Sequence, residues 1–84
     1  MPTVLYLRGW RLHFYSNEGN EPVHIHAQKG DRDCKYWLDV DAYEIREAYT
    51  YNMSARDTRE VRKIILQHFD DIVEAWETAF GAQQ

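Results

Sequence analysis

The first half of the chain alternates apolar and polar residues with a period of two, which predicts β-strands. Residues 3–8 and 10–16 flank Gly9, and a glycine at the first central position of a turn is typical of a type II′ hairpin. The second strand separates a core face from an outer face. Its core-side residues are Trp10, Leu12 and Phe14, and its outer residues are Arg11, His13 and Tyr15.

A second hairpin is predicted over residues 23–39, after a loop of turn-forming residues. Its register places His26 opposite Lys35 and His24 opposite Trp37. A shift of one residue would reverse the faces of the strand, so the alternation itself supports this register. We therefore expect both histidines on the outer face, directed away from the helices into solvent or a partner.

The segment 41–52 is the least regular part of the predicted sheet. It keeps a period of two at Tyr43, Ile45, Tyr49 and Tyr51, which predicts a fifth strand, irregular or at a sheet edge. A helical turn over 43–48 is the alternative.

The last third of the chain repeats apolar residues at helical spacing, and Ser54 with Asp57 predicts a capping box at its start. One helix over 55–80 would be about 39 Å long. A compact domain of this size has a radius of gyration of roughly 12 Å, so we expect a break near 68–71, with an aspartate capping the second helix.

These patterns predict a single α+β domain over residues 1–84, with a sheet in 3–49 and a helical part in 54–80. The sheet is small and antiparallel, with four or five strands from two hairpins, and the C-terminal helix or broken helix pair packs on one face. A net charge of −4 argues against general nucleic-acid binding. The single cysteine, Cys34, falls on the core side and fits a reducing compartment. Since no signal-like or membrane-spanning run is present, we expect a cytoplasmic protein without membrane contact.

The outer face carries the candidate chemistry. His24 and His26 have Cα atoms about 7 Å apart on one strand, so they could converge on zinc or another transition metal, with His13 as the best third ligand and Asp39 or Asp33 next. Ordinary strand histidines without a metal or any other cofactor are the simpler interpretation.

The same residues support a metal-free alternative, a small ribonuclease. His24 and His26 would act as acid and base, and Lys35 would stabilise charge on a phosphate. Arg11 could assist Lys35, and an aromatic residue could stack on a base.

A protein-binding module is the interpretation we favour, because it requires no catalytic precision. The binding surface would include Arg11, His13, Tyr15 and Trp37. An open sheet edge could be covered by a partner or by a second copy in a homodimer.

Several stretches resemble the bacterial family called domain of unknown function 4160 (DUF4160). They are residues 1–5 leading into Gly9, 14–18 (Phe-Tyr-Ser-Asn-Glu), 21–26 (Glu-Pro-Val-His-Ile-His), 29–31, 35–38, 75–76 and 80–81. The resemblance implies a partner, because members of this family are typically encoded beside a second small protein, as in toxin–antitoxin pairs. We therefore expect one component of such a module, with a ribonuclease-type toxin as the alternative.

Overall fold

The computed structural model describes residues 3–81; Met1 and Pro2, which belong to the resemblance above, and residues 82–84 lie outside the described residues. Five strands form one antiparallel sheet in chain order. They are β1 (Thr3–Leu7), β2 (Trp10–His13), β3 (His24–Lys29), β4 (Arg32–Asp39) and β5 (Glu44–Tyr51).

Two helices follow the sheet, α1 (Ala55–Gln67) and α2 (Phe69–Phe80), and confirm the predicted α+β fold. Within residues 3–81, neither helix is long and apolar enough to cross a membrane.

The first hairpin turns through Arg8 and Gly9, between the paired residues Leu7 and Trp10. Both turn residues have positive φ, 54° for Arg8 and 84° for Gly9. This is the pattern of a type I′ turn. The type II′ prediction was wrong, because Gly9 occupies the second central position and not the first.

The second hairpin has the predicted register. His26 lies opposite Lys35, and His24 lies opposite Trp37. The pairing continues to Lys29 opposite Arg32, so only Gly30 and Asp31 form the turn.

The predicted fifth strand is β5, at one edge of the sheet, and it contains an irregularity. Ile45 lies opposite Leu38 on the core side, whereas Tyr49 lies opposite Lys35 on the other face. The register shifts between these two pairs, because β5 has one extra residue there. Residues that share a period of two therefore reach opposite faces.

The helical part breaks at His68, as predicted, and Ser54 with Asp57 forms the predicted capping box. The prediction of an aspartate cap on α2 was wrong. His68 is the N-cap and makes no side-chain capping bond, while Asp70 and Asp71 lie in the first turn. Two carboxylates in the first turn still complement the helix dipole.

Both helices pack on one face of the sheet. Burial raises the pKa of the Cys34 thiol to about 12, which agrees with a packing role for this residue. The buried apolar residues are Trp10, Leu12, Phe14, Ile25, Ala27, Cys34, Tyr36, Leu38 and Ile45 from the sheet side, and Val61, Ile64, Ile65, Phe69, Ile72, Trp76 and Phe80 from the helices.

Candidate functional site

The sheet face opposite the helices brings the predicted residues together. His13, His26, Lys35 and Tyr49 are paired in sequence across β2, β3, β4 and β5, so they form one row on this face. The rings of His24 and Trp37 meet in the neighbouring row, with centroids 5.3 Å apart.

The histidines of this face are buried, and the expectation that they face solvent or a partner was wrong. The exposed fractions are 1% for His13, 0% for His24 and 4% for His26. Tyr15 packs edge-on against His26, with ring centroids 4.7 Å apart. Trp76 of α2 reaches the His24 ring at the end of the sheet, with centroids 4.9 Å apart.

The loop between β2 and β3 folds back over the histidines because of its own hydrogen bonds. The Glu18 amide donates to the Tyr15 carbonyl (3.3 Å), and the Glu21 amide donates to the Glu18 carbonyl (3.0 Å). The Tyr15 amide donates in turn to Glu18 Oε1 (3.0 Å). These bonds hold the Glu18 side chain inward, where the residue is only 9% exposed.

Glu18 meets both histidines of β3. Its Oε2 lies 2.9 Å from His26 Nε2, and its Oε1 lies 2.8 Å from His24 Nε2. We call these three residues the Glu18–His24–His26 cluster. One candidate metal-ligating atom from each residue, a ring nitrogen from each histidine and a carboxylate oxygen from Glu18, lies within 4.8 Å of the other two.

The cluster holds Glu18 as a carboxylate. Burial raises the pKa of Glu18, but the Tyr15 amide and the contacts with the rings of His26 and His24 outweigh it and lower the pKa from 4.5 to about 2. The negative charge is therefore present over the whole physiological pH range.

The second ring nitrogen, Nδ1, of both β3 histidines also has a neighbour. His24 Nδ1 lies 3.0 Å from the Pro22 carbonyl oxygen, which can only accept a hydrogen bond. His26 Nδ1 has a longer contact of 3.5 Å with the Tyr49 hydroxyl. Burial and the nearby Asp33 raise the pKa of Tyr49 to about 12, so that hydroxyl keeps its proton at neutral pH.

His13 does not complete the predicted metal site. Among residues 3–81, the histidines of β3 are joined by Glu18, and neither His13 nor the predicted aspartates belong to the group. The His13 ring stacks on His26, with centroids 5.5 Å apart. Burial, with the nearby charge of Arg11, lowers the pKa of His13, which favours the neutral ring at pH 7.

The other predicted residues surround the cluster without joining it. Lys35 Nζ lies 3.0 Å from Glu21 Oε1 and 4.2 Å from the centre of the Trp37 ring. Arg11 Nε donates to Thr3 Oγ1 (3.1 Å). The charge of Lys35, which the ribonuclease interpretation would place on a phosphate, is thus already close to a carboxylate.

A concentration of positive charge lies on the helical side of the molecule. Within α1, four exposed basic residues occupy eight positions: Arg56, Arg59, Arg62 and Lys63. Arg62 approaches the ring of Tyr36, a core-side residue of the sheet, at 5.8 Å. The acid–base groups and this basic surface are therefore on different sides of the sheet.

Sequence reasoning missed Glu18. Its position among turn-forming residues indicates only a loop, and the fold-back that buries it depends on contacts with β3. One signal pointed to it, since Glu18 ends the stretch 14–18 that resembles the family.

The stretch 14–18 also lies within the part of the chain that matches a known family. No match was found among curated proteins or among solved structures. The chain does match a family described as a domain of unknown function, over residues 9–77. This match spans most of the sequence, including all of β2 to β5 and the Glu18–His24–His26 cluster, and the chain therefore belongs to the DUF4160 family.

Proposed function

We propose that this chain is one component of a bacterial, cytoplasmic two-protein module of the toxin–antitoxin type, and that it binds its partner protein through the sheet face opposite the helices. The partner would be the small protein encoded by the adjacent gene, as the family resemblance implies.

One observation carries the proposal: a row of side chains crosses all five strands on that face. Its members, in spatial order, are Tyr6, Arg11, Gln28, Asp33 and Tyr51. The tyrosines at its two ends are 70% and 63% exposed. Both helices pack on the opposite face, so no helix of the described residues covers this row.

The chemistry of the row suits a protein partner. Tyrosine and arginine are enriched among the residues that dominate binding energy, because they combine large apolar area with polar atoms. Tyr49 adds a further exposed ring beside Tyr51, and the half-buried Trp37 lies nearby on β4. Because the histidines are buried, the proposed binding surface consists of these aromatic side chains and does not include the histidines.

The order of the strands supports the same proposal. β1 and β5 are both edge strands, and each pairs with a neighbour on one side only. An exposed edge favours pairing with another chain unless it is covered. A partner seated on the row could cover either edge as well.

The test is co-expression with the product of the adjacent gene, followed by purification and measurement of the dissociation constant by calorimetry. We expect a stable complex. Tyr6→Ser and Tyr51→Ser should each weaken it by about tenfold or more, as is usual for a residue that dominates an interface.

The matched control is Leu66→Ser, which removes an exposed apolar side chain (44% exposed) from α1 on the other side of the molecule. It should leave the dissociation constant unchanged. The proposal fails if no complex forms, or if Leu66→Ser disrupts the complex while both tyrosine variants bind normally.

A further inference from the structure

We infer that the Glu18–His24–His26 cluster is a binding site for one divalent transition-metal ion, with zinc as the reference ion. This inference is independent of the proposed partner, because it concerns atoms that lie beneath the loop between β2 and β3 and do not belong to the exposed row.

The first argument is the number and type of the converging atoms. Two imidazole nitrogens and a carboxylate form a mixed ligand set that suits zinc and similar transition metals, whereas calcium and magnesium prefer oxygen ligands alone. A tetrahedral ion at about 2.0–2.2 Å from each ligand atom would separate the ligand atoms by roughly 3.3–3.6 Å. One oxygen of the carboxylate, Glu18 Oε1, lies 2.8 Å from His24 Nε2 and 3.2 Å from His26 Nε2, so these contacts would need to lengthen by roughly 0.1–0.8 Å.

The second argument is the orientation of His24. Its Nδ1 lies at hydrogen-bonding distance from the Pro22 carbonyl, so that nitrogen carries a proton. A neutral His24 then has a lone pair on Nε2, directed into the cluster. Histidines that bind metals usually donate their other N–H to a carbonyl or carboxylate in this way.

The third argument is that His24 Nε2 lacks an aligned hydrogen-bond partner. It is fully buried and, among residues 3–81, no group satisfies it in direction as well as distance. Glu18 Oε1 lies only 2.8 Å away. In the metal-free protein this contact is favourable only when His24 Nε2 carries a proton, and a metal ion bound between the two atoms can take the place of that proton.

The remaining contacts fit the same site. With His26 Nε2 on the ion, its Nδ1–H faces the Tyr49 oxygen, and the Tyr49 hydroxyl is free to donate to Asp33, whose Oδ2 is also 3.5 Å away. Three protein ligands leave a fourth position for water or for a ligand atom from a partner. A proton is the competing occupant, because a doubly protonated His24 would also neutralise the pair.

The experiment uses the full chain, purified without a histidine tag and treated with a chelator, and then titrated with zinc. We expect one ion per chain. Zinc at about one hundred times its dissociation constant should raise the melting temperature by roughly 10 °C or more. Glu18→Gln, which keeps the size of the side chain and removes its charge, should weaken zinc binding by about 100-fold or more.

Two variants serve as controls. His68→Gln changes a histidine at the helix junction, outside the cluster, and should leave the affinity within twofold. His13→Phe keeps a buried ring against His26 and should also retain zinc. X-ray absorption of the zinc-loaded wild type should show two imidazoles with oxygen ligands and no sulfur, and this measurement holds even if Glu18→Gln does not fold.

The inference is overturned if zinc neither binds stoichiometrically nor changes the melting temperature. It is also overturned if His13→Phe folds but loses zinc, or if His68→Gln weakens binding as much as Glu18→Gln does. Nitrogen NMR provides a final check: if His24 stays protonated at both nitrogens when zinc is present, the site holds a proton and the metal assignment is wrong.

Discussion

Both faces of the sheet contain buried side chains, covered by the helices on one face and by the loop between β2 and β3 on the other. Ile25 and His26 are neighbours on β3, and both are at least 96% buried. Ile25 lies under the helices in an apolar core, where burial of apolar area provides the stabilisation. His26 lies under a loop, where its polar atoms are matched by Glu18 and Tyr49. Burial by itself therefore does not mark the core of this domain.

The comparison also shows where the molecule is sensitive to pH. The core beneath the helices is built of apolar side chains, whereas the loop-covered face buries three histidines and the Glu18 carboxylate. A buried polar network is stable only while each member has its partner. We therefore expect the two faces to respond to different perturbations, as the following predictions state.

The largest effect is expected for Ile25→Ala. This substitution leaves a cavity beneath the helices and should lower the free energy of unfolding by about 3 kcal/mol. The loss should be the same at pH 7 and pH 5, because no charge is involved. Urea denaturation at both pH values measures it, and a strong pH dependence of the loss would contradict the distinction between the two faces.

A comparable effect, restricted to acid pH, is expected for the loop-covered face in metal-free protein. The folded-state pKa of Glu18, about 2, lies below its ordinary value of 4.5. Glu18 therefore stabilises the fold above pH 4.5, and that stabilisation disappears as the pH falls from about 4.5 to 2. By proton linkage the loss is on the order of 3 kcal/mol.

The control for this prediction is Glu18→Gln, which should be less stable than the wild type at pH 7 but should lose less stability between pH 4.5 and pH 2. Denaturant titrations across this range measure both proteins. Equal acid sensitivity of the two would mean that other carboxylates cause the loss.

The smallest effect on stability is expected for Tyr51→Ser. Tyr51 is largely exposed, and substitutions at such positions usually change the free energy of unfolding by less than about 0.5 kcal/mol. The same variant is expected to weaken partner binding, so a stable but binding-deficient protein would separate the exposed row from the buried cluster. A large loss of stability instead would show that this face is needed for folding.

Much of the fold could be predicted because the relevant signals are local. The alternation around His24 and His26 determines which strand positions are paired, and this register was confirmed. The capping box at Ser54 depends on residues three apart, and it was also confirmed. The turn at Gly9 was predicted with the wrong type, since one residue of difference in the loop changes which position the glycine occupies.

The candidate site could be predicted only in part. The alternation of side chains along each strand predicts that His13, Lys35 and Trp37 lie on the outer face. The burial of that face does not, and neither does the role of Glu18, because both depend on how a loop of turn-forming residues folds back.

The sequence by itself determined the elements, the register of the second hairpin and the faces of its side chains, because periodicity and turn chemistry act over a few residues. Only the tertiary structure decided that the loop between β2 and β3 closes over the histidines and that Glu18, not His13, supplies the third candidate ligand atom. The physical reason is that a carboxylate finds its partner through contacts between segments, and local patterns along the chain do not encode the path that brings those segments together.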